Sequence, residues 1–153
     1  MGRPTCRDLA SGLFADLLSS GVSVRLEVGG HSMAPFVRSG DVVTVAPRGD
    51  ARPSLGDVVV CAVERDQLTM HRVVGWTGGQ LVPRGDAAPT ADAALQLDSV
   101  VGLVRRVERR GRPVRLGLGP ERRVIAWLSR LGLLASLGRL RARLVPGGQG
   151  AAC

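Results

Sequence analysis

The sequence contains no lysine; every one of its 21 basic residues is arginine. Arginine stays protonated, so none of these side chains can take a proton from a nucleophile. Histidine is nearly absent as well, with His31 and His71 alone. Tyrosine is missing and aromatic residues make up only 3% of the chain. Val, Leu and Ala must therefore fill the core, and stacking of nucleobases on aromatic rings is excluded as a main mode of action. Cys6, Cys61 and Cys153 are too few and too far apart for a zinc site, and an odd count gives no disulfide framework. Cys61, inside an apolar run, reads as a small buried residue. No uncharged apolar stretch reaches the roughly 18 residues that a membrane-spanning helix needs, and no signal peptide is visible at the start.

What is present bounds the class. A chain of 153 residues is long enough for one domain with a real core. Its net charge of +8 is unevenly placed: residues 1–100 hold 9 Arg against 11 acidic residues, and residues 101–153 hold 12 Arg against 2 Glu. The basic character belongs to the tail, so nucleic acid is not an expected partner of the rest.

Residues 5–20 read as an amphipathic helix, with Thr5 as N-cap, Asp8 at capping-box spacing, Leu9, Leu13, Phe14, Leu17 and Leu18 on one face, and Gly21 as its stop. Val22, Val24, Leu26 and Val28 then alternate with polar residues, the period of a half-buried strand. Further strand signals cover 41–46, 57–64, 67–76, 81–84, 99–106 and 113–118, with turns at Arg65-Asp66, at Thr77-Gly78-Gly79 and over 108–112. A mainly β body, α+β overall, follows.

The first strand leads into Gly29-Gly30-His31-Ser32-Met33-Ala34-Pro35, which sets a serine in a glycine-flanked turn. A serine hydroxyl becomes a useful nucleophile when a base takes its proton and backbone donors receive the charge on the attacked carbonyl. His31 is adjacent to Ser32, and neighbours in an extended segment point to opposite faces. His71, in a strand-like run, is the better base. Asp86 and Asp92 follow one strand and turn later and could orient its ring. Gly40-Asp41 and Gly56-Asp57, by contrast, read as ordinary turn chemistry.

Ser-Met-x-Pro (Ser32 to Pro35) before Gly-Asp, then Gly-Asp-Val-Val (Gly56 to Val59), His-Arg-Val (His71 to Val73), and Gly-Asp with a second Asp six residues on (Asp86, Asp92) resemble the type I signal peptidases. The resemblance covers roughly residues 22–118 and is to the endoplasmic-reticulum and archaeal branch, in which histidine replaces a lysine base. It implies a signal-peptidase-like β body, Ser32 as nucleophile, His71 as base, Asp92 as its carboxylate partner and Asp86 in support, with Met33 and Pro35 beside the bound substrate. It implies a peptide or preprotein cleaved after small residues, with neither metal nor cofactor. Relatives usually carry a serine two residues before the nucleophile that helps bind the oxyanion, and here that position is Gly30. They also normally begin with a membrane-spanning helix, which residues 1–20 do not resemble. Two other readings stay open: a non-catalytic peptide-binding scaffold, and a self-cleaving repressor-type peptidase, although such repressors use lysine as base and carry a DNA-binding domain.

From Pro120 the pattern turns helical and leucine-rich, with Trp127, Leu128 and Leu131 on one face, a break at Gly132, and Leu133, Leu137, Leu140 and Leu144 on another. The expected organisation is a catalytic domain over 1–118, a basic apolar helical tail over 119–145 and a flexible end over 146–153. Residues 120–144 could lie on an anionic membrane surface, fold over the β body or mediate self-association. A peripheral membrane or cytoplasmic location follows from that pattern.

Overall fold

The computed structural model describes residues 6–63, 67–131 and 133; of residues 6–11, 63 and 67 only the backbone is described. Helix α1 (Cys6–Ser19) precedes strands β1 (Val24–Glu27), β2 (Val42–Pro47), β3 (Val58–Val63), β4 (Gln67–Thr77) and β5 (Gln80–Arg84). A short 3-10 turn (Leu97–Ser99) leads into β6 (Val100–Arg109), followed by β7 (Arg112–Pro113) and helix α2 (Arg122–Arg130). The strands form one antiparallel sheet in the order β1-β2-β6-β3-β4-β5, with β7 attached to β6. This is the mainly β, α+β architecture that the alternating patterns predict.

The apolar run of β3 does not alternate because both of its faces are covered. Val58 and Val60 pack with Phe14, Leu18, Val43, Val45 and Val107, whereas Val59 and Cys61 pack with Val73, Leu81, Val100 and Leu103. Such a strand is buried on both sides. The β4–β5 hairpin closes on Gly78 and Gly79, both left-handed (φ 53° and 83°), which is what a two-residue turn between twisted antiparallel strands demands.

Helix α1 ends as Gly21 predicts. The Gly21 amide donates to the Leu18 carbonyl and the Val22 amide to that of Leu17, with Gly21 at φ 88°. Its buried stripe is narrower than expected: Phe14 and Leu18 are buried, while Leu13 is 62% and Leu17 36% exposed. Leu18 reaches β6 where Gly102 leaves room; a Cβ there would lie 3.0 Å from Leu18 Cδ1 and 2.6 Å from Val45 Cγ1. The Thr5 cap and the side chains of Asp8 and Leu9 lie outside the described residues, as does the turn at 64–66.

Two expectations near the C-terminal end are corrected. The strand expected to stop at residue 106 runs on to Arg109, and the one expected over 113–118 ends at Pro113. Glu108 is held in the strand by ion pairs with Arg25 and Arg106, and the turn moves to Arg110-Gly111, both left-handed. An arginine at φ 51° gives no sequence signal for such a turn. Past Pro113, which has no amide to donate, Val114 bonds once to the Val107 carbonyl and the chain leaves the sheet.

Helix α2 presents two different sides to the sheet and to solvent. Ile125, Ala126 and Ser129 are buried on the side that packs against β4, and Trp127 and Leu131 point outward. The helix start is pressed so closely on the turn before β3 that a Cβ on Gly56 would lie 2.5 Å from the Arg122 carbonyl oxygen. The expected break at Gly132 and the leucines from 134 to 144 lie outside the described residues. Among the described residues, no helix is long and apolar enough to cross a membrane.

Candidate active site

Ser32 opens a single helical turn just beyond β1. The Ala34 amide donates to the His31 carbonyl and the Val37 amide to that of Met33. Met33 and Val37, each 2% exposed, anchor this turn in the core, so Ser32 stands exposed on a rigid base. The far end of the loop is tied by Asp41, which is 2% exposed and accepts two 2.8 Å bonds from Arg109 and one from the Arg38 amide. Arg109 also donates to the Phe36 carbonyl. The Arg109 bonds, with the Arg38 amide, hold the Asp41 carboxyl below the ordinary carboxylate range against the opposing effect of burial.

His71 projects from β4 opposite Val59 of β3, with its side chain 13% exposed. Its Nδ1 bonds to Asp92 Oδ2. Asp92 is brought there by the outer edge of β5: its amide donates to the Pro83 carbonyl, and Leu95 and Leu81 exchange a pair of backbone bonds. The loop between β5 and Asp92 is gathered by Arg84, whose guanidinium donates to the carbonyls of Ala88, Pro89 and Arg130.

Gly85 joins the two halves. A Cβ built on it would lie 2.8 Å from the Ser32 carbonyl oxygen, 3.1 Å from Ser32 Cβ and 3.2 Å from His71 Nε2. Ser32 and the ring nitrogen facing away from Asp92 thus flank one missing methyl group. The Ser32 carbonyl accepts a 2.8 Å bond from the Ala87 amide, which holds the Ser32 turn against this loop. The serine side chain and the ring are not directly bonded; Ser32 Cβ and His71 Nε2 border the same small space.

Beneath that space lies Arg72. Neither its side chain nor that of Asp86 has any exposure, and they meet in a bidentate pair with both bonds at 2.8 Å. The remaining Arg72 donors reach the Gly56 and Gly117 carbonyls, and its guanidinium lies 5.6 Å from the centre of the Phe36 ring. Burial pushes the Asp86 carboxyl upward, with the Arg72 bonds pulling the other way. Asp86 is therefore a partner of Arg72 and does not bond the imidazole; it stands in the chain between Gly85 and Ala87.

Ser32, His71 and Asp92 are brought together in the order the motifs predict. His31 is exposed beside Ser32. Pro35 is exposed as well, whereas the Met33 side chain points into the core and can offer a ligand only its backbone. Sequence reasoning missed Arg72 and Gly85; each sits within a quoted motif, but nothing in a sequence marks an arginine as buried or a glycine as a spacer. Gly30 has φ 105°, a conformation that disfavours any side chain, with open space where a Cβ would be. The Cys61 thiol is pushed up to about 12, first by burial and then by the charge of Asp92, which makes it inert as a nucleophile. A cavity of about 230 Å3 beside the His71–Asp92 pair is lined by Cys61, Thr69, Pro83, Ala93 and Leu95.

No curated protein matches the chain. The Peptidase S24-like family model matches residues 12–115, which include Ser32, His71, Asp86 and Asp92. The match is to this family and does not single out the endoplasmic-reticulum and archaeal signal peptidases that the motifs resemble. With two thirds of its length matched, from α1 through β7, the chain belongs to the Peptidase S24-like family, a family of serine-type peptidases.

Proposed function

We propose that the protein is a serine endopeptidase in which Ser32 is the nucleophile, His71 the general base and Asp92 the group that orients the ring. The observation that carries this reading is the placement of Gly85 between Ser32 and His71 Nε2, with Asp92 on the opposite ring nitrogen. A carboxylate at Nδ1 selects the tautomer that carries its proton there and leaves the Nε2 lone pair free. The Ser32 proton then passes to Nε2 as Oγ bonds to the substrate carbonyl carbon. The resulting tetrahedral intermediate collapses as Nε2 returns the proton to the departing amine, and water completes the cycle by the reverse sequence.

The oxyanion needs donors. The Ser32 amide bonds to no acceptor among the described residues and is the candidate; Gly30 supplies no side chain. Losing one such donor typically costs about 3 kcal/mol of transition-state stabilisation, so slow turnover is expected relative to relatives with two.

The substrate reading is a leader-type peptide cleaved after small residues. It rests on the order of motifs and on the limited apolar cavity beside His71. Self-cleavage of the repressor type is the second reading, favoured by the family match. The two separate by kinetics: cleavage of an added peptide with alanine at the first and third positions before the bond supports the first, and concentration-independent cleavage of the chain itself supports the second. Ser32→Ala must abolish both, and equal turnover by that variant would falsify the nucleophile assignment.

A further inference from the structure

Helix α2 carries two apolar faces. One is seated on β4 through Ile125 and Ala126. On the other, Val124, Trp127 and Leu131 are 60%, 58% and 54% exposed at a spacing that aligns them in one stripe. A helix already docked by one face gains nothing for folding from a second, and a stripe of this kind marks an interaction surface. The charges beside it are mainly basic, and the acid at the helix start, Glu121, is turned back to accept from the Gly117 and Gly119 amides. Arg123 and Arg130 are exposed, Arg122 is engaged by Asp57 at 3.3 Å, and from Arg122 to Cys153 there are six arginines and no acidic residue.

We propose that the outer face of α2 docks on an anionic lipid bilayer, with Trp127 at the headgroup level, Val124 and Leu131 against the acyl boundary, and Arg123 and Arg130 on the headgroup charges. Charge separates this occupant from the others. A second copy would place arginine against arginine, and the leucine-rich segment of the same chain would bring Arg139, Arg141 and Arg143 with no acid to offset them. Nucleic acid would satisfy the arginines but leave the apolar stripe in water. An anionic bilayer meets both requirements. The stripe lies beyond the residues matched by the family model, and the inference is independent of the peptidase chemistry.

The chain has two tryptophans, so Trp76→Phe leaves Trp127 as the sole reporter in the full-length protein. Vesicles of phosphatidylglycerol and phosphatidylcholine in equal parts should shift Trp127 emission to the blue, brominated acyl chains should quench it, and molar salt should reverse both effects. Pure phosphatidylcholine vesicles should leave emission unchanged. Trp127→Ser combined with Leu131→Ser should weaken co-sedimentation with the anionic vesicles by about tenfold or more. The proposal fails if the protein sediments with vesicles while Trp127 emission stays unchanged, because the segment after α2 would then bind alone. It fails equally if neutral vesicles bind as well as anionic ones, if neither binds, or if a lipid-free dimer produces the blue shift.

Discussion

The guanidinium of Arg72 grips the carboxylate of Asp86 through two 2.8 Å bonds in a place where neither side chain touches solvent. Removing one member leaves the other charged and unmatched in the interior, typically a loss of about 3–5 kcal/mol. Asp86→Asn should therefore lower the denaturant midpoint steeply. Arg72→Lys should do nearly the same, because one ammonium cannot serve Asp86, Gly56 and Gly117 from a planar fork. Midpoints close to the parent's in urea titrations would show that the pair does not brace the loop under the site.

Gly85 should behave differently. Its φ is not left-handed, so alanine can adopt it, but the added methyl would lie 2.8 Å from the Ser32 carbonyl oxygen, pushing the Ser32 turn away as it enters the space beside His71. Gly85→Ala should keep a folded circular dichroism spectrum and lose about 100-fold or more in the reaction of Ser32. Unchanged reactivity in a folded Gly85→Ala protein would place the hydroxyl and the ring elsewhere in the working enzyme.

Acid sensitivity should map partly to Asp41. Its carboxyl titrates below its ordinary value of 3.8 when folded, so the unfolded chain takes up the proton first as pH falls. The stability it contributes is complete above about pH 4 and drains away as pH drops through the lowered folded value. Asp41→Asn should be less stable than the parent at neutral pH, and the gap should close in acid. A gap that persists unchanged to low pH would assign the loss to packing.

Ser129 offers a test of the opposite sign. Its hydroxyl is buried on the inner face of α2 and has no partner among the described residues. An unpaired buried hydroxyl costs about 1–3 kcal/mol, so Ser129→Ala should be neutral or stabilising. A clear fall in melting temperature would reveal a partner for that oxygen.

Much of this molecule is legible in residue order alone. Apolar runs between turn residues mark the strands, Gly21 marks the end of α1, and the absence of lysine leaves His71 as the base to pair with Ser32, whereas the choice of Asp92 over Asp86 rests on the family resemblance. What escaped was set by contacts between distant segments. The turn after β6 falls on Arg110 and Gly111 beyond the Glu108 ion pairs, and the start of α2 lies directly against Gly56, a pairing of segments more than sixty residues apart. Arg72 looked like any strand arginine until four segments closed around it. Gly85 gave no signal, since the reason for a missing side chain lies in the neighbours it would strike.

Activation of Ser32 by His71 is the step on which peptidase activity depends. Intact-mass measurement after treatment with a fluorophosphonate tests this most directly. A single adduct on Ser32 is predicted for the parent protein, none for Ser32→Ala, and labelling slowed by roughly 100- to 10,000-fold for His71→Ala. Failure of the folded parent protein to react at Ser32, or labelling at full rate without His71, would contradict it.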